Sequence, residues 1–274
     1  MSGLNNIYKP KLQCGDAIEL FSSIQSESVD LVIADPPYNL GKDYGNDSDK
    51  KCFNSYLEFS KKWIYEAHRV LKPTGTLYIF MGVRFISYLY HILEIENRML
   101  FNSWITWHYT QGVGKKKGFS PRHEDILMFT KSNNFTFNLD DVRIPQKYFR
   151  KRNNMKGANP SDVWQFSHVH YSNPEREKHP TQKPEALMER MILTSSNKDD
   201  IVLDPFAGSG TTLRVANILQ RKSIGFELNA DYIRLIQNRL NKTFIEFDSF
   251  DERKNRNPLD VKENIDNQLL PYFR

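Results

Sequence analysis

Cysteine is scarce in this chain. Of 274 residues only Cys14 and Cys52 carry a thiol, and their spacing fits neither a disulfide framework nor a zinc site. No apolar run approaches the roughly 20 residues a membrane helix requires. The opening stretch Met1-Ser2-Gly3-Leu4-Asn5-Asn6 lacks the charged-then-apolar pattern of a secretory signal. There is no internal repeat. These absences imply a reduced, cytoplasmic protein without structural metal and without a membrane anchor. What is present suits a full core: 39% of the residues are hydrophobic, enough for one large domain carrying an insertion.

Lys and Arg number 38 against 33 Asp and Glu, giving a formal charge of +5 and a pI near 9.0. A mild basic excess is compatible with a polyanion but does not identify one. Its distribution is more informative. Lys115, Lys116 and Lys117 with Arg122 form one cluster; Lys147, Arg150, Lys151, Arg152 and Lys156 form a second, interrupted by Tyr148 and Phe149. Cations for phosphates interleaved with rings for bases suit a nucleic acid, although solvated loop charge explains either cluster alone.

Short apolar runs alternate with segments of helical period, the pattern of an α/β domain with a parallel sheet. Strands are expected at Leu12–Cys14, Leu31–Ala34, Thr76–Phe80, Ser103–His108, Ile126–Thr130, Ile201–Leu203 and Ser223–Phe226. Helices are expected at Ala17–Ile24, Phe53–Val70, Phe85–Leu93, Glu185–Thr194, Gly210–Leu219 and Ala230–Asn241. Lys72-Pro73-Thr74-Gly75 reads as the stop after the longest helix. Periodicity fades between about Asp140 and Lys178, a polar, Asn- and Pro-rich stretch with isolated aromatics such as Trp164, Phe166 and Tyr171. The tail beyond Glu246 is charged and weakly patterned, apart from the apolar Leu269-Leu270-Pro271-Tyr272-Phe273.

Two strand ends carry chemistry. After Leu31-Val32-Ile33-Ala34 comes Asp35-Pro36-Pro37-Tyr38. Two prolines fix two φ angles and remove two N–H donors, so an acid, an acceptor-rich rigid turn and an aromatic ring lie together. Such a turn could hold a flat ring bearing an amino group, which describes a nucleobase. After Ile201-Val202-Leu203 comes Asp204-Pro205-Phe206-Ala207-Gly208-Ser209-Gly210-Thr211-Thr212 and then a helix, a close-approach turn for a nucleotide-like ligand. The dinucleotide fingerprint is not met, because Leu213 takes the third glycine's place. Asp204 would also repel a pyrophosphate, and favours a ligand bearing an ammonium. Glu227 ends the next strand about 20 residues on, where an acid holds ribose hydroxyls.

In this order the pieces resemble the β class of DNA amino-methyltransferases, which is circularly permuted: the catalytic Asp-Pro-Pro-Tyr comes first and the S-adenosylmethionine glycine turn late. Three more segments are similar to the family's blocks: Cys14-Gly15-Asp16-Ala17, Arg122-His123-Glu124-Asp125-Ile126-Leu127-Met128-Phe129, and His179-Pro180-Thr181-Gln182-Lys183-Pro184. The resemblance runs from Leu12 to about Leu240. It implies a Rossmann-like α/β fold with a seven-stranded, mostly parallel sheet containing one antiparallel strand. By segments, it implies a catalytic half (1–139), an inserted target-recognition segment (140–178), a cofactor-binding half (179–245) and a charged tail (246–274).

The activity implied is site-specific methylation of double-stranded DNA at N6 of a flipped adenine, within a restriction-modification system. N4 of cytosine is the alternative base, since Asp before Pro-Pro-Tyr marks adenine only as a family tendency. A catalytically silent DNA-binding subunit, an NAD-dependent oxidoreductase and an RNA substrate are the rival readings. The catalytic set is Asp35, Pro36, Pro37 and Tyr38: the Asp35 carboxylate and Pro36 carbonyl accept from the amine and restore its lone pair, and Tyr38 stacks on the base. Cofactor contacts fall to Asp16, Asp35, Thr181, Lys183, Asp204, Phe206, Ala207, Gly208, Gly210, Thr211, Glu227 and Leu228. Among these, Asp16 would take the adenine amino group, and Thr181 and Lys183 the methionine carboxylate. DNA contacts are assigned to Lys115, Lys116, Lys117, Arg122, Arg150 and Arg152. His123-Glu124 is read as structural rather than as a general base. A homodimer and a cognate restriction endonuclease are the expected partners.

Overall fold

The computed structural model describes residues 8–42, 49–110, 112, 114–144 and 157–242. Eight strands form one sheet: β1 (Lys11–Cys14), β2 (Val29–Ala34), β3 (Leu71–Met81), β4 (Leu100–His108), β5 (His123–Thr130), β6 (Val163–Gln165), β7 (Ile201–Asp204) and β8 (Lys222–Glu227). Their order is β1-β8-β7-β2-β3-β5-β4-β6. All neighbours pair parallel except those of β5, which runs antiparallel to both β3 and β4. Six helices, α1 (Ala17–Leu20), α2 (Phe53–Val70), α3 (Ile86–His91), α4 (Glu185–Ser195), α5 (Thr211–Ile218) and α6 (Ala230–Leu240), complete the α/β architecture.

The two sheet faces follow from the two-residue period of a strand. Val32 and Ala34 of β2 join Leu77, Ile79 and Met81 of β3 in the core beneath α1, α2 and α3. Leu31, Ile33, Tyr78 and Phe80 point the other way, into a core shared with α4 and α5. Helix α2 buries Tyr56, Ser60, Trp63, Ile64, Ala67 and Val70, a stripe of helical spacing, and places His68 and Arg69 in its last turn where the dipole favours cations.

Helix α2 ends at Val70, as the stop signal Lys72-Pro73-Thr74-Gly75 implied, and that segment lies in β3 at a register break, with Val29 paired to Leu71 and Leu31 to Thr76. Two features depart from the sequence expectations. The sheet has eight strands where the resemblance implied seven. The extra one, β6, lies inside the 140–178 segment, pairs with β4 along Thr106–His108 and buries Trp164, while the residue after it buries Phe166. That part of the segment therefore packs into the core of the sheet. Lastly, the absent third glycine is replaced from the opposite side. A Cβ on Gly225 of β8 would lie 2.6 Å from Leu213, so the small residue that lets α5 pack closely sits on the strand.

Candidate active site

Parallel strands put their C-terminal ends on one rim. Helix α5 leads from β7 to β8 in one direction and α2 leads from β2 to β3 in the other, making the β7/β2 boundary the switch point where open α/β sheets bind ligands. Four acids follow in spatial order along that rim: Asp16 after β1, Glu227 ending β8, Asp204 ending β7 and Asp35 after β2. All four line one cavity of about 430 Å³, within the range of small-molecule sites.

The Asp35–Tyr38 turn is held from several sides. Tyr56 of α2 donates to the Pro37 carbonyl at 2.7 Å, whereas among the described residues none donates to the carbonyl of Pro36. Beyond Tyr38, the buried Asp49 carboxylate accepts from the N–H groups of Asn39, Leu40 and Lys42. The Asn39 side chain exchanges two hydrogen bonds with the Lys51 backbone. The Pro36 carbonyl thus sits in a fixed frame, available to a ligand.

At the glycine turn, Gly210 has φ +75 and a Cβ there would meet Ile236 at 2.8 Å, so this position demands glycine on two grounds. It caps α5 behind the cavity wall. Asp204 accepts from the Phe206 N–H at 3.0 Å, and burial pushes its carboxyl up to about 7. Glu227 accepts from the N–H groups of Gly208 and Asn229, both at 2.8 Å. Burial raises its carboxyl too, with those backbone bonds opposing. Asp16 accepts from the Ile18 N–H at 2.8 Å and so caps α1. Behind the turn, Arg239 of α6 donates to the Ser209 carbonyl and the Thr211 hydroxyl and pairs with Glu185 at 2.7 Å. This network pins the turn from below.

Lys183 lines the cavity beside two carboxylates. Its buried ammonium lies 2.9 Å from Asp35 and 3.2 Å from Glu124, and 5.2 Å from the centre of the Tyr38 ring. It is engaged with the Asp35–Tyr38 turn and with Glu124. Burial alone would lower the ammonium, but Asp35 and Glu124 overcome that and raise it. The Asp35 carboxyl is pushed up by its enclosed position and only partly pulled back by Lys183. Glu124 also accepts from the Tyr38 hydroxyl at 2.8 Å, so it is a wall of the site, a role beyond the structural one expected.

The cavity also gathers Pro36, Pro37, Tyr38, Thr181, Phe206, Ala207, Gly208, Thr211 and Leu228 from the sequence-derived set. His179 lies against Gly208 and the Tyr232 ring, and burial pushes its imidazole down to about 4. Sequence reasoning did not single out Arg176 or His168, which line the cavity as well. Lys115, Lys116 and Lys117 are exposed on the loop joining β4 to β5, together with the fully exposed Phe119. Arg122 immediately precedes β5 and donates to the Pro121 carbonyl. Arg150 and Arg152, and the rest of the second basic cluster, lie outside the described residues. Among the described residues no His, Cys, Asp and Glu cluster could hold a metal, and no helix is long and apolar enough to cross a membrane.

The acceptor set fits a ligand with an ammonium, hydroxyls and an amino group, because the rim presents acids rather than a phosphate cradle. Comparison with known proteins agrees. The DNA methylase family model matches residues 29–238. The chain is 59% identical over 256 residues to the type II methyltransferase M.HpaI of Haemophilus parainfluenzae, covering 93% of this chain and 82% of that protein. It is 41% identical over 243 residues to the DNA adenine methyltransferase YhdJ of Escherichia coli K12, covering 82% and 81%. Among solved structures, the M1.HpyAVI–SAM complex superposes with a TM-score of 0.62 at 30% identity, over 85% of this chain and all of that one. The cytosine-N4-specific PvuII methyltransferase superposes at 0.68 over 95% and 94%, but at 21% identity it supports the fold alone. A mostly parallel sheet, an acid-bearing proline turn and a second, glycine-bearing turn on the same rim thus agree with these likenesses, and the chain belongs to the DNA methylase family, the S-adenosylmethionine-dependent DNA methyltransferases of restriction-modification systems.

Proposed function

We propose that this methyltransferase acts on N6 of an adenine flipped out of duplex DNA. The observation that carries this reading is the pairing of the rigid Asp35–Pro36 acceptors with the acid-lined nucleoside cavity around one switch point. An amine inside a base pair cannot reach such a turn, so the base must leave the stack. The exocyclic nitrogen is a weak nucleophile because its lone pair is delocalised. Accepting both its hydrogens at Asp35 and Pro36 concentrates that lone pair on nitrogen, and fixed acceptors do so without reorganisation. S-adenosylmethionine, when bound, supplies the electrophilic methyl group.

Within the cofactor site, Glu227 is positioned for ribose hydroxyls, Asp16 for the adenine amino group and Asp204 for the ammonium. Phe206, Ala207, Gly208, Thr211 and Leu228 shape the wall. Thr181 and Arg176, rather than Lys183, face the carboxylate. Lys115, Lys116, Lys117 and Arg122 follow the DNA backbone, where contacts position without specifying sequence. Adenine is favoured by the acid before Pro-Pro-Tyr and by the adenine-specific relative. A cytoplasmic setting, a homodimer and an endonuclease reading the same site complete the proposal.

Asp204 gives this reading a pH signature. Its carboxyl, near 7 without ligand, takes up a proton on folding, so its burial makes the free protein less stable as pH rises from about 4 to about 7. Only the ionised form attracts an ammonium. Cofactor affinity therefore rises with pH below 7, by up to about tenfold per unit, and levels off above it. Asp204→Asn should flatten this profile at the weak end, as read by calorimetric titration between pH 5.5 and 8.5.

The substrate class is tested by offering methyl-labelled S-adenosylmethionine with duplex DNA, single-stranded RNA or both. Label in DNA alone is expected. Label in RNA alone would sink the proposal.

A further inference from the structure

Among the described residues that line the cavity, His168 has a buried side-chain nitrogen, Nε2, without a hydrogen bond. Asp35, Tyr38 and Glu124 line the same cavity. Buried polar atoms in native folds are nearly always paired, so an orphan in a ligand cavity points to a ligand. The ring is fixed rather than adrift. It stacks on Trp107 at 5.1 Å between centroids and 21° between planes, and meets the edge of Tyr109 at 3.8 Å. Trp107 is in turn held by its Nε1–H, which donates to the Phe166 carbonyl at 2.9 Å. The segment following β6 thus delivers a histidine to the catalytic end of the cavity. Glu124 and Lys183 are near enough to influence its charge, but burial dominates and lowers its pKa, favouring the neutral ring.

A base presented to Asp35 and Pro36 by its amine brings the adjacent ring nitrogen with it: N1 in adenine, N3 in cytosine. That nitrogen is an acceptor and requires a donor. At this end the Lys183 ammonium already meets Asp35 and Glu124, and the Tyr38 hydroxyl already donates to Glu124. We propose that His168 is a base-reading residue whose Nε2–H donates to the ring nitrogen beside the exocyclic amine. An acceptor pair next to a donor complements adenine and cytosine. It mismatches guanine and thymine, which offer a carbonyl oxygen where the amine would be and a ring N–H where the acceptor would be. His168 thereby screens which flipped base is held. The inference rests on the methyltransferase reading above and adds to it a specificity determinant.

The test is a cycle of enzyme and substrate variants on a duplex that the wild type methylates, with adenine or 1-deazaadenine at the methylated position. 1-Deazaadenine keeps the amine and replaces N1 by C–H. The wild type should lose about tenfold or more in kcat/KM on the analogue, the scale of one buried hydrogen bond. His168→Phe, which retains the stacking on Trp107, should lose as much on adenine and nothing further on the analogue. Cofactor affinity of the variant should match the wild type, and His168→Ala should repeat the pattern if packing is not the cause. Losses that multiply independently, or a His168→Phe enzyme with wild-type kcat/KM on adenine, would overturn the assignment. A wild type that methylates no duplex DNA would instead refute the parent reading, and this one with it.

Discussion

Asp35→Ala should lower kcat by about 10³-fold or more while the protein still folds and binds cofactor. The magnitude follows from removing a preorganised electrostatic group in an enclosed site, which typically costs 10²–10³-fold for one donor. In the proposed mechanism the carboxylate is one of two acceptors for the amine and carries the charge. Folding should survive because Asp35 touches the cavity and leaves Lys183 paired with Glu124. Cofactor affinity should change by less than about tenfold, because Asp204 and Glu227 hold their backbone partners without Asp35. Loss of the nearby charge also makes Asp204 easier to ionise, since Asp35 is among the groups that raise it. Asp35→Asn keeps one neutral acceptor and should recover part of the lost rate. Single-turnover methyl transfer with saturating cofactor separates these terms. An Asp35→Ala enzyme within tenfold of wild type would remove the carboxylate from the mechanism.

Lys183→Met should be the most damaging of the single changes for stability, by about 3 kcal/mol, because it strips the shared cation from two neighbouring carboxylates. The cost is capped where one carboxyl takes up a proton instead. For a protein of this size such a loss corresponds to a fall in Tm of about 5–10 °C. With the ammonium gone, Asp35 binds its proton more tightly, so the acid limb of the kcat profile should move to higher pH. Pairing the change with Glu124→Gln removes the repulsion and should restore part of the Tm. If Lys183 instead held the cofactor carboxylate, Lys183→Met would raise the cofactor Kd and leave the pH profile of kcat in place. Differential scanning calorimetry and a pH series of kcat distinguish the two.

This distinction also marks how far the sequence could be read. The six helices and seven of the eight strands are visible in it because α2, β2 and β7 carry strong periodicity and end at Gly or Pro signals. β6 is not visible, since Val163-Trp164-Gln165 is too short for a period and lies among polar residues. Asp35, Asp204 and Glu227 are legible because each ends a parallel strand, and parallel strands bring their C-terminal ends to one rim. Glu124 is different. It lies near the start of β5, and only the antiparallel placement of that strand brings its start to the same rim. Lys183 could not be assigned a partner, because a lysine in a loop meets whatever the tertiary fold sets opposite it. His168 was hidden for a related reason, as its orphan nitrogen exists only once Trp107 and Tyr109 surround it.

The account stands on the identity of the atom that receives the methyl group. Duplex DNA of mixed sequence, incubated with the protein and methyl-labelled S-adenosylmethionine and then digested to nucleosides, reports it directly. Label in N6-methyladenine is the predicted result, and its loss with Asp35→Ala should follow. Label in N4-methylcytosine would preserve the amine chemistry of Asp35 and Pro36 but contradict adenine as the target. Label at a ring carbon would contradict the mechanism itself.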